Sequence, residues 1–155
     1  METARRLDTC WRPYHEALAI ELARLKELHG CALLWDAHSI ASHLPRLFDG
    51  KLPDLNFGTA GGTSCAASIL ERVTARAQGS GCSSVINGRF KGGHITRHYG
   101  HPAQHVHAIQ LELCQSLYMN EASPFEYRPE VAARLQPTLK AMLEAAADAV
   151  MAPGH

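Results

Sequence analysis

Leucines that recur every three or four residues mark one stretch near the start of the chain. They are Leu18, Leu22, Leu25 and Leu28. Because charged side chains occupy mostly the other faces, this spacing predicts an amphipathic helix over residues 13–29, which ends where Gly30 follows. A run rich in alanine and leucine predicts another helix over residues 129–151, which Pro137 kinks or splits.

Between these helices, three segments have the pattern of β-strands. Residues 31–36 are apolar up to Trp35, which is typical of a strand buried on both faces and therefore central in a sheet. Residues 106–113 alternate, so that Glu112 shares one face with the other even-numbered positions, and the odd-numbered ones lie opposite. Residues 83–87 form a third, shorter candidate strand.

The intervening segments give weaker signals. Prolines and glycines interrupt residues 40–62, and so long a loop in a compact domain is usually functional. Thr63 or Ser64 is suited to cap a helix that runs to about residue 78. Residues 94–99 are predicted as a strand or an extended loop.

Helices that alternate with short apolar strands predict an α/β fold, with a mixed sheet flanked by helices, and residues 1–155 as a single domain. In such sheets, ligands bind beyond the carboxyl ends of the strands. Four polar side chains are expected near such ends and therefore near one another. They are Asp36, His38, Asn87 and Glu112.

Composition narrows the classes of function. The chain has 15 basic and 15 acidic residues and no formal net charge, which argues against a nucleic-acid-binding protein. No apolar run approaches the roughly 20 residues that cross a bilayer, so no membrane partner is expected. Five widely spaced cysteines, an odd number, and a first segment without a secretory pattern favour reduced thiols and a cytoplasmic location.

Two places in the sequence carry side chains suited to catalysis, namely the pair Asp36 and His38, and Glu112. His38 follows Asp36 by two residues, so the imidazole is a candidate zinc ligand and the carboxylate would fix its tautomer. The alternative is a strand-end histidine held by hydrogen bonds in a polar rim. Glu112 stands in an otherwise apolar strand, where burial would raise its pKa and suit it to act as a general base. The alternative is a glutamate that leans into water or pairs with an arginine.

A basic, glycine-rich segment follows the third strand. Arg89, Lys91 and Arg97 stand among glycines in residues 87–100 and could grip carboxylates or, equally, a phosphate, although the spacing is not that of a P-loop. The alternative is an exposed basic hairpin. Five of the ten histidines lie from His94 to His107, but packing or surface roles are favoured over a metal site of their own.

Several segments in one order resemble the N-formylglutamate amidohydrolase family. The segments are WRPYHEAL at 11–18, LWDAHSI at 34–40, PRLFDG at 45–50, LPDLNFGT at 52–59, SC at 64–65, NGRFKGGHITRHYG at 87–100, VHAIQLE at 106–112 and YM at 118–119. The resemblance implies a zinc-carboxypeptidase-like (phosphorylase/hydrolase-like) fold in the cytoplasm. It also implies a reaction in which N-formyl-L-glutamate and water give formate and L-glutamate, a step of histidine degradation.

The resemblance also implies roles for individual residues. His38 would be the last of three zinc ligands, supported by Asp36, and Glu112 would be the general base and acid. Arg97, with Arg89 or Lys91, would hold the carboxylates of the substrate. The loop at residues 42–62 would close over the site and exclude water.

The resemblance covers the C-terminal portion of the family. The Pro-His metal-ligand segment, the acidic ligand and the Asn-Arg substrate segment of the N-terminal portion have no counterpart in this sequence. The expected zinc site is therefore incomplete without a companion chain or a second copy. The alternative to an enzyme is a truncated, non-catalytic remnant, or one half of a split enzyme, that binds a dicarboxylate. An exposed apolar face is a third expectation.

Overall fold

The computed structural model describes residues 2–152. The helices are α1 (Glu2–Arg6), α2 (Arg12–His29), α3 (Ala67–Ala77), α4 (His94–Tyr99) and α5 (Pro129–Met151). The strands are β1 (Ala32–Ile40), β2 (Leu55–Gly58), β3 (Ser84–Ile86) and β4 (Val106–Cys114). A π-helical segment, Leu7–Trp11, joins α1 to α2. Among the helices in these residues, none combines the length and hydropathy needed to cross a bilayer.

The four strands form one mixed sheet in the order β1-β4-β2-β3. β1 and β4 are parallel, β4 and β2 are antiparallel, and β2 and β3 are parallel. The predicted mixed α/β architecture is therefore confirmed. The predicted central position of the first strand is wrong for the described residues, because β1 lies at one edge of the sheet.

The two faces of the sheet have different partners. On one face, Phe57, Ile109 and Leu111 are almost completely buried in a core to which α3 and α5 contribute. On the other face, Leu34 and the fully buried Ala108 belong to a smaller cluster with apolar residues of α2 and α4. The alternation predicted for residues 106–113 is confirmed, since odd and even positions of β4 serve opposite faces.

The bounds predicted for the two longest helices, α2 and α5, agree with the structure to within one residue. Gly30 ends α2 in the left-handed conformation, with φ of 76°, and its N–H bonds the Lys26 carbonyl at 2.8 Å. Helix α5 runs through Pro137 without splitting. The predicted caps of α3 are wrong, because the Ser64 hydroxyl donates to the Ala108 carbonyl and the Thr63 hydroxyl donates to the Ala60 carbonyl.

Three segments differ from prediction because tertiary contacts decide them. β1 continues to Ile40 since nine residues of β4 pair with it in unbroken register, so Asp36 and His38 lie inside the strand and not at its end. Residues 55–58, predicted as loop, form β2 between β3 and β4. Residues 94–99, predicted as extended, form α4, which buries Thr96 and Tyr99 on one side.

Candidate functional site

His38 and Glu112 stand side by side on neighbouring parallel strands. The register pairs His38 with Glu112 and Asp36 with Gln110. Paired residues of adjacent strands project from the same face of a sheet, so all four side chains share the face that carries Leu34 and Ala108. The polar stretch of this face begins where the apolar contact with α2 and α4 ends.

The Glu112 carboxyl group is buried and retains its proton more readily than an exposed glutamate. The residue is 7% exposed, and burial raises its pKa above the usual 4.5. His38 opposes this shift and the Asp36 carboxylate adds to it. This environment therefore favours the neutral form of the carboxyl group.

The His38 imidazole is held by its neighbour on the same strand. Its Nε2 lies 2.9 Å from Asp36 Oδ1, and the Asp36 side chain is 15% exposed against 49% for His38. Within the part of the chain that the structure describes, Nδ1 of His38 makes no hydrogen bond. The carboxylate thus orients the ring and leaves Nδ1 as the nitrogen that can bind a ligand.

The neighbouring strand β2 places Asn56, which was predicted to belong to the closing loop, directly beside Glu112. Asn56 pairs with Glu112 and is fully buried. Its Nδ2 donates to the main-chain oxygens of Glu112, at 3.1 Å, and Pro53, at 2.7 Å. Its Oδ1 accepts no hydrogen bond from residues 2–152. Asn56 ties the backbone of Glu112 to β2, a role that was hidden because β2 was predicted as loop.

Of the three basic candidates, Arg97 is anchored on this face. Gln110 Oε1 accepts the Gly93 N–H at 2.9 Å, which holds the glycine loop two residues along β4 from Glu112. Arg97 Nη1 donates to the Gly92 carbonyl at 3.0 Å. All three basic residues are exposed, and Arg89 and Lys91 lie on the segment that precedes this loop.

The expected convergence on Asn87 is wrong. Its Oδ1 accepts the main-chain N–H groups of Thr59 and Gly61, at 2.9 and 3.3 Å, and its Nδ2 donates to the Thr59 hydroxyl. Because β3 runs antiparallel to β1 and β4, its carboxyl end points in the opposite direction from theirs, and β2 separates it from β4. Asn87 therefore shapes the turn after β2.

The predicted closing loop is shorter than expected and is tethered near both ends. It comprises residues 41–54, since residues 55–58 are β2. Glu121 accepts the Ser42 N–H at 2.7 Å, the Ser42 hydroxyl at 2.6 Å and the Ser116 N–H at 2.9 Å. Asp54 accepts the Ser83 N–H and hydroxyl, both at 2.9 Å. These contacts fix the path of the loop between β1 and β2.

We expect Glu121→Ala to lower the free energy of unfolding by about 2 kcal/mol, because it leaves the Ser42 and Ser116 donors without an acceptor. Burial disfavours the charge of Glu121, but its hydrogen bonds outweigh burial and hold the pKa below 4.5. The extra free energy of unfolding of the wild type over Glu121→Ala is therefore present above about pH 4.5. It is lost as the pH falls through the lower pKa that Glu121 has in the folded chain. Urea unfolding from pH 3 to 7 measures it. Equal stability of both proteins at pH 7 would contradict the role.

Three histidines outside this site, His15, His94 and His98, pack together between α2 and α4. His94 stacks on His98 with ring centroids 4.9 Å apart, and His15 Nδ1 lies 2.6 Å from the Tyr99 hydroxyl. Residues 2–152 contain no group of three His, Cys, Asp or Glu side chains arranged to hold a metal. Catalytic zinc normally takes three protein ligands. The described residues therefore do not by themselves complete such a site.

Comparison with known proteins places these features in a family context. The model of the N-formylglutamate amidohydrolase family matches residues 1–119. N-formylglutamate deformylases of Pseudomonas putida and Pseudomonas aeruginosa are 59% and 58% identical over 145 and 146 residues, which are 93% and 92% of this chain. The match covers 54% of each relative, so the chain spans about half the length of these curated relatives.

A solved structure shares the fold. The crystal structure of N-formylglutamate amidohydrolase from Ralstonia eutropha JMP134 superposes with a TM-score of 0.84 at 25% identity. The superposition covers 96% of this chain and 54% of that one. The arrangement of strands and helices described above is therefore that of an amidohydrolase structure over nearly all of this chain.

Proposed function

Because this chain belongs to the N-formylglutamate amidohydrolase family, we propose that it carries part of a site that hydrolyses N-formyl-L-glutamate to formate and L-glutamate. The observation that carries the proposal is the register that sets His38 beside Glu112 on one face of the sheet. A ligand-type imidazole and a proton-transferring carboxyl group are thereby held next to each other. The fold of the complete enzyme is proposed to be of the zinc-carboxypeptidase type.

His38 is proposed as one of three protein ligands to zinc, through Nδ1, with Nε2 held by Asp36. The other two ligands come from outside the described residues, because those residues offer no complete set. A zinc ion, when bound, supplies Lewis-acid polarisation of a carbonyl and lowers the pKa of water. The protein's own contribution at this position is to present one imidazole in a fixed orientation.

Glu112 is proposed to carry the proton. It takes a proton from the attacking water as the oxygen bonds to the formyl carbon, and it gives that proton to the amine nitrogen as the carbon–nitrogen bond breaks. The raised pKa of the buried carboxyl group suits both halves of this cycle. Asn56, bonded to the main chain of Glu112, keeps the strand that bears it in place.

Substrate recognition is proposed to rest on Arg97. Its Nη1 is bonded to the Gly92 carbonyl, which fixes the guanidinium while its other nitrogens remain available for a carboxylate. Arg89 and Lys91 are exposed and are proposed as secondary contacts to the second carboxylate of glutamate. The tethered loop of residues 41–54 limits water at the site.

Zinc content and formate release test the proposal together. The 155-residue chain is assayed alone and after mixing with the part of the Pseudomonas putida relative that lies outside the match. Formate release with one zinc per assembled site supports hydrolysis. Binding of N-formylglutamate by calorimetry, with no zinc and no formate in either sample, supports the second candidate, a non-catalytic dicarboxylate-binding protein. That candidate is favoured by the incomplete ligand set of residues 2–152.

We expect Asp36→Asn to weaken zinc binding by the assembled protein about 10–100-fold. The asparagine amide holds the His38 imidazole less firmly than a carboxylate, and it can bond to either tautomer of the ring. A competition titration with a chromophoric chelator measures the affinity. Asp49→Asn removes a charge from an exposed loop position and is the matched control, for which no change is expected. Equal zinc affinities for Asp36→Asn and wild type would remove Asp36 from the site.

A further inference from the structure

Three imidazoles meet where the first turn of α2 contacts α4. His15 belongs to α2, and His94 and His98 stand one helical turn apart on α4. The ring centroids are 4.9 Å apart for His94 and His98, 5.3 Å for His15 and His94, and 6.3 Å for His15 and His98. The centroid of the Trp11 ring lies 4.2 Å from that of His15. The three side chains form an imidazole cluster that is bordered by an aromatic ring.

Two of the three rings have no hydrogen bond that accounts for their position. His15 Nδ1 lies 2.6 Å from the Tyr99 hydroxyl, and this contact holds the ring in place. The side chains of His94 and His98 are exposed and, within residues 2–152, take part in ring contacts but in no hydrogen bond. The imidazole cluster therefore presents ring nitrogens that can donate to a ligand.

The basic groups of this region have no acidic partner. Arg97 lies on α4 between His94 and His98, and its Nη1 donates to the Gly92 carbonyl at 3.0 Å. In the described part of the chain, no carboxylate oxygen lies within 4.0 Å of a side-chain nitrogen of Arg97 or of the imidazole cluster. Desolvation lowers the pKa of His15 below the usual 6.5, and the charges of His94 and His98 lower it further. Basic groups gathered without a counter-charge favour the binding of an anion.

The fold sets the imidazole cluster beside the proposed site. A short turn connects the end of α2 to β1, and the helix packs back along the strand, so its first turn lies toward the half of β1 that carries His38. Just before α4, the Gly93 N–H bonds Gln110 Oε1 at 2.9 Å, and Gln110 pairs with Asp36. His94 follows Gly93 directly. The cluster therefore borders the sheet face on which the proposed chemistry takes place.

We propose that the imidazole cluster binds the side-chain carboxylate of an acidic N-formyl amino acid, the group that distinguishes N-formylglutamate from neutral substrates. This selection rests on the proposed hydrolysis, whose substrate carries two carboxylates. Arg97 takes one carboxylate, and the cluster donates N–H groups to the other, with Arg89 and Lys91 as the secondary contacts. His94 and Arg97 are three residues apart, so they are neighbours on the helix surface. The bound carboxylate supplies the missing counter-charge.

Titration with glutarate, a dicarboxylate without the formamide, tests the cluster without any assay of activity. The 155-residue chain with labelled histidine rings is titrated at pH 7 with glutarate and with its monoamide, and NMR follows the rings. We expect saturable shifts of the His94 and His98 signals, and at least fivefold tighter binding of glutarate than of the monoamide. The His29 ring, at the other end of α2, is the internal reference. Unshifted cluster signals, or equal binding of the two ligands, overturn the proposal.

The variant His94→Phe keeps an aromatic ring on α4 but removes its N–H. We expect it to weaken glutarate binding at least fivefold. His29→Phe makes the same exchange at an exposed position of α2 and is the matched control, for which wild-type affinity is expected. His98→Phe replaces His94→Phe if circular dichroism shows that variant to be unfolded. Wild-type affinity in a folded phenylalanine variant counts against the site. Equal affinity for inorganic phosphate would show a general anion patch and overturn the assignment to a dicarboxylate.

Substrate preference tests the same role in the assembled protein, formed from this chain and the unmatched part of the Pseudomonas putida relative. N-formylglutamine has nearly the shape of N-formylglutamate but no side-chain carboxylate. We expect His94→Phe to lower the ratio of the two kcat/KM values, N-formylglutamate over N-formylglutamine, at least tenfold, mainly through KM for N-formylglutamate. Turnover of N-formylglutamine is expected to be unchanged. An unchanged ratio overturns the proposal.

Two further outcomes separate this selection from the proposed hydrolysis. Glutarate binding that depends on His94, with no formate released by the assembled protein, would support the carboxylate site and contradict the hydrolysis. Formate release whose substrate preference is lost in Lys91→Gln but kept in His94→Phe would support the hydrolysis. That result would place the carboxylate on the basic loop and overturn the role of the imidazole cluster.

Discussion

Replacing Glu112 by glutamine is expected to lower the rate of formate release by about 10²–10⁴-fold, the usual worth of a general acid–base group. Glutamine keeps the size of the side chain and its place beside His38, but it cannot accept a proton from water. Because the substrate contacts proposed for Arg97 are untouched, we expect kcat to fall much more than KM rises. The measurement is steady-state release of formate by the chain assembled with the remaining part of the family's length.

The same substitution is expected to stabilise the fold at neutral pH. Burial places the pKa of Glu112 in the folded chain above the 4.5 of an exposed glutamate. The unfolded chain therefore loses the proton first, and the free energy of unfolding falls as pH rises from about 4.5 through the folded pKa. Glu112→Gln removes this fall, so its urea midpoint at pH 7 lies above that of wild type. If Glu112 only stabilised the fold, Glu112→Gln would instead have a lower urea midpoint at pH 7 than wild type.

The control is Glu130→Gln, which removes a charge from an exposed position near the start of α5. We expect its turnover to match that of wild type, and its free energy of unfolding to keep the fall above about pH 4.5 that the raised pKa of Glu112 causes. Turnover by Glu112→Gln within about threefold of wild type, with zinc bound, would remove Glu112 from proton transfer and would leave His38 without its proposed companion.

How much of this site could be foreseen depends on whether the deciding contacts are local. The alternation of residues 106–113 is a local pattern, so it placed Glu112 on the polar face correctly. The i, i+2 spacing of Asp36 and His38 was likewise enough to put both on one side of a strand. The pairing of His38 with Glu112 joins positions 74 residues apart, and only the register of β1 with β4 decides it.

The elements that were missed are short and depend on their neighbours. β2 has four residues, among them an asparagine and a glycine, which are poor strand formers, so its own sequence reads as loop. It becomes a strand because β3 and β4 bond it from both sides. Because β2 was missed, Asn56 was assigned to the closing loop and its contact with the main chain of Glu112 was not foreseen. The strand directions were missed as well, which produced the wrong placement of Asn87. His38 as a zinc ligand and the three basic residues as carboxylate contacts were proposed from residue chemistry, but the number of zinc ligands and the choice of Arg97 over Arg89 and Lys91 came from the family resemblance.

Gly58→Ala is expected to be among the most destabilising single changes in this part of the molecule, at about 3 kcal/mol. A Cβ on Gly58 would lie 2.8 Å from the Lys91 carbonyl carbon and 2.9 Å from Gly92 Cα, and closer still to the Gly92 nitrogen. These are main-chain atoms, so the loop must move as a whole. Such a shift pulls the Gly93 N–H from Gln110 and displaces the carbonyl that anchors Arg97. We therefore expect KM for N-formylglutamate to rise together with the loss of stability.

Gly93→Ala tests whether the close approach at Gly58, and not the loss of a glycine as such, causes this effect. Its Cβ would meet Gln110 Oε1 at 3.6 Å, an ordinary contact, and its φ of −89° suits any residue. We expect Gly93→Ala to cost about 0.5 kcal/mol or less in urea unfolding and to leave KM unchanged. Equal losses of stability in Gly58→Ala and Gly93→Ala would mean that an added side chain is poorly tolerated at both glycines. In that case Gly58 would have no special part in seating Arg97, and the proposed link between sheet packing and substrate binding would fail.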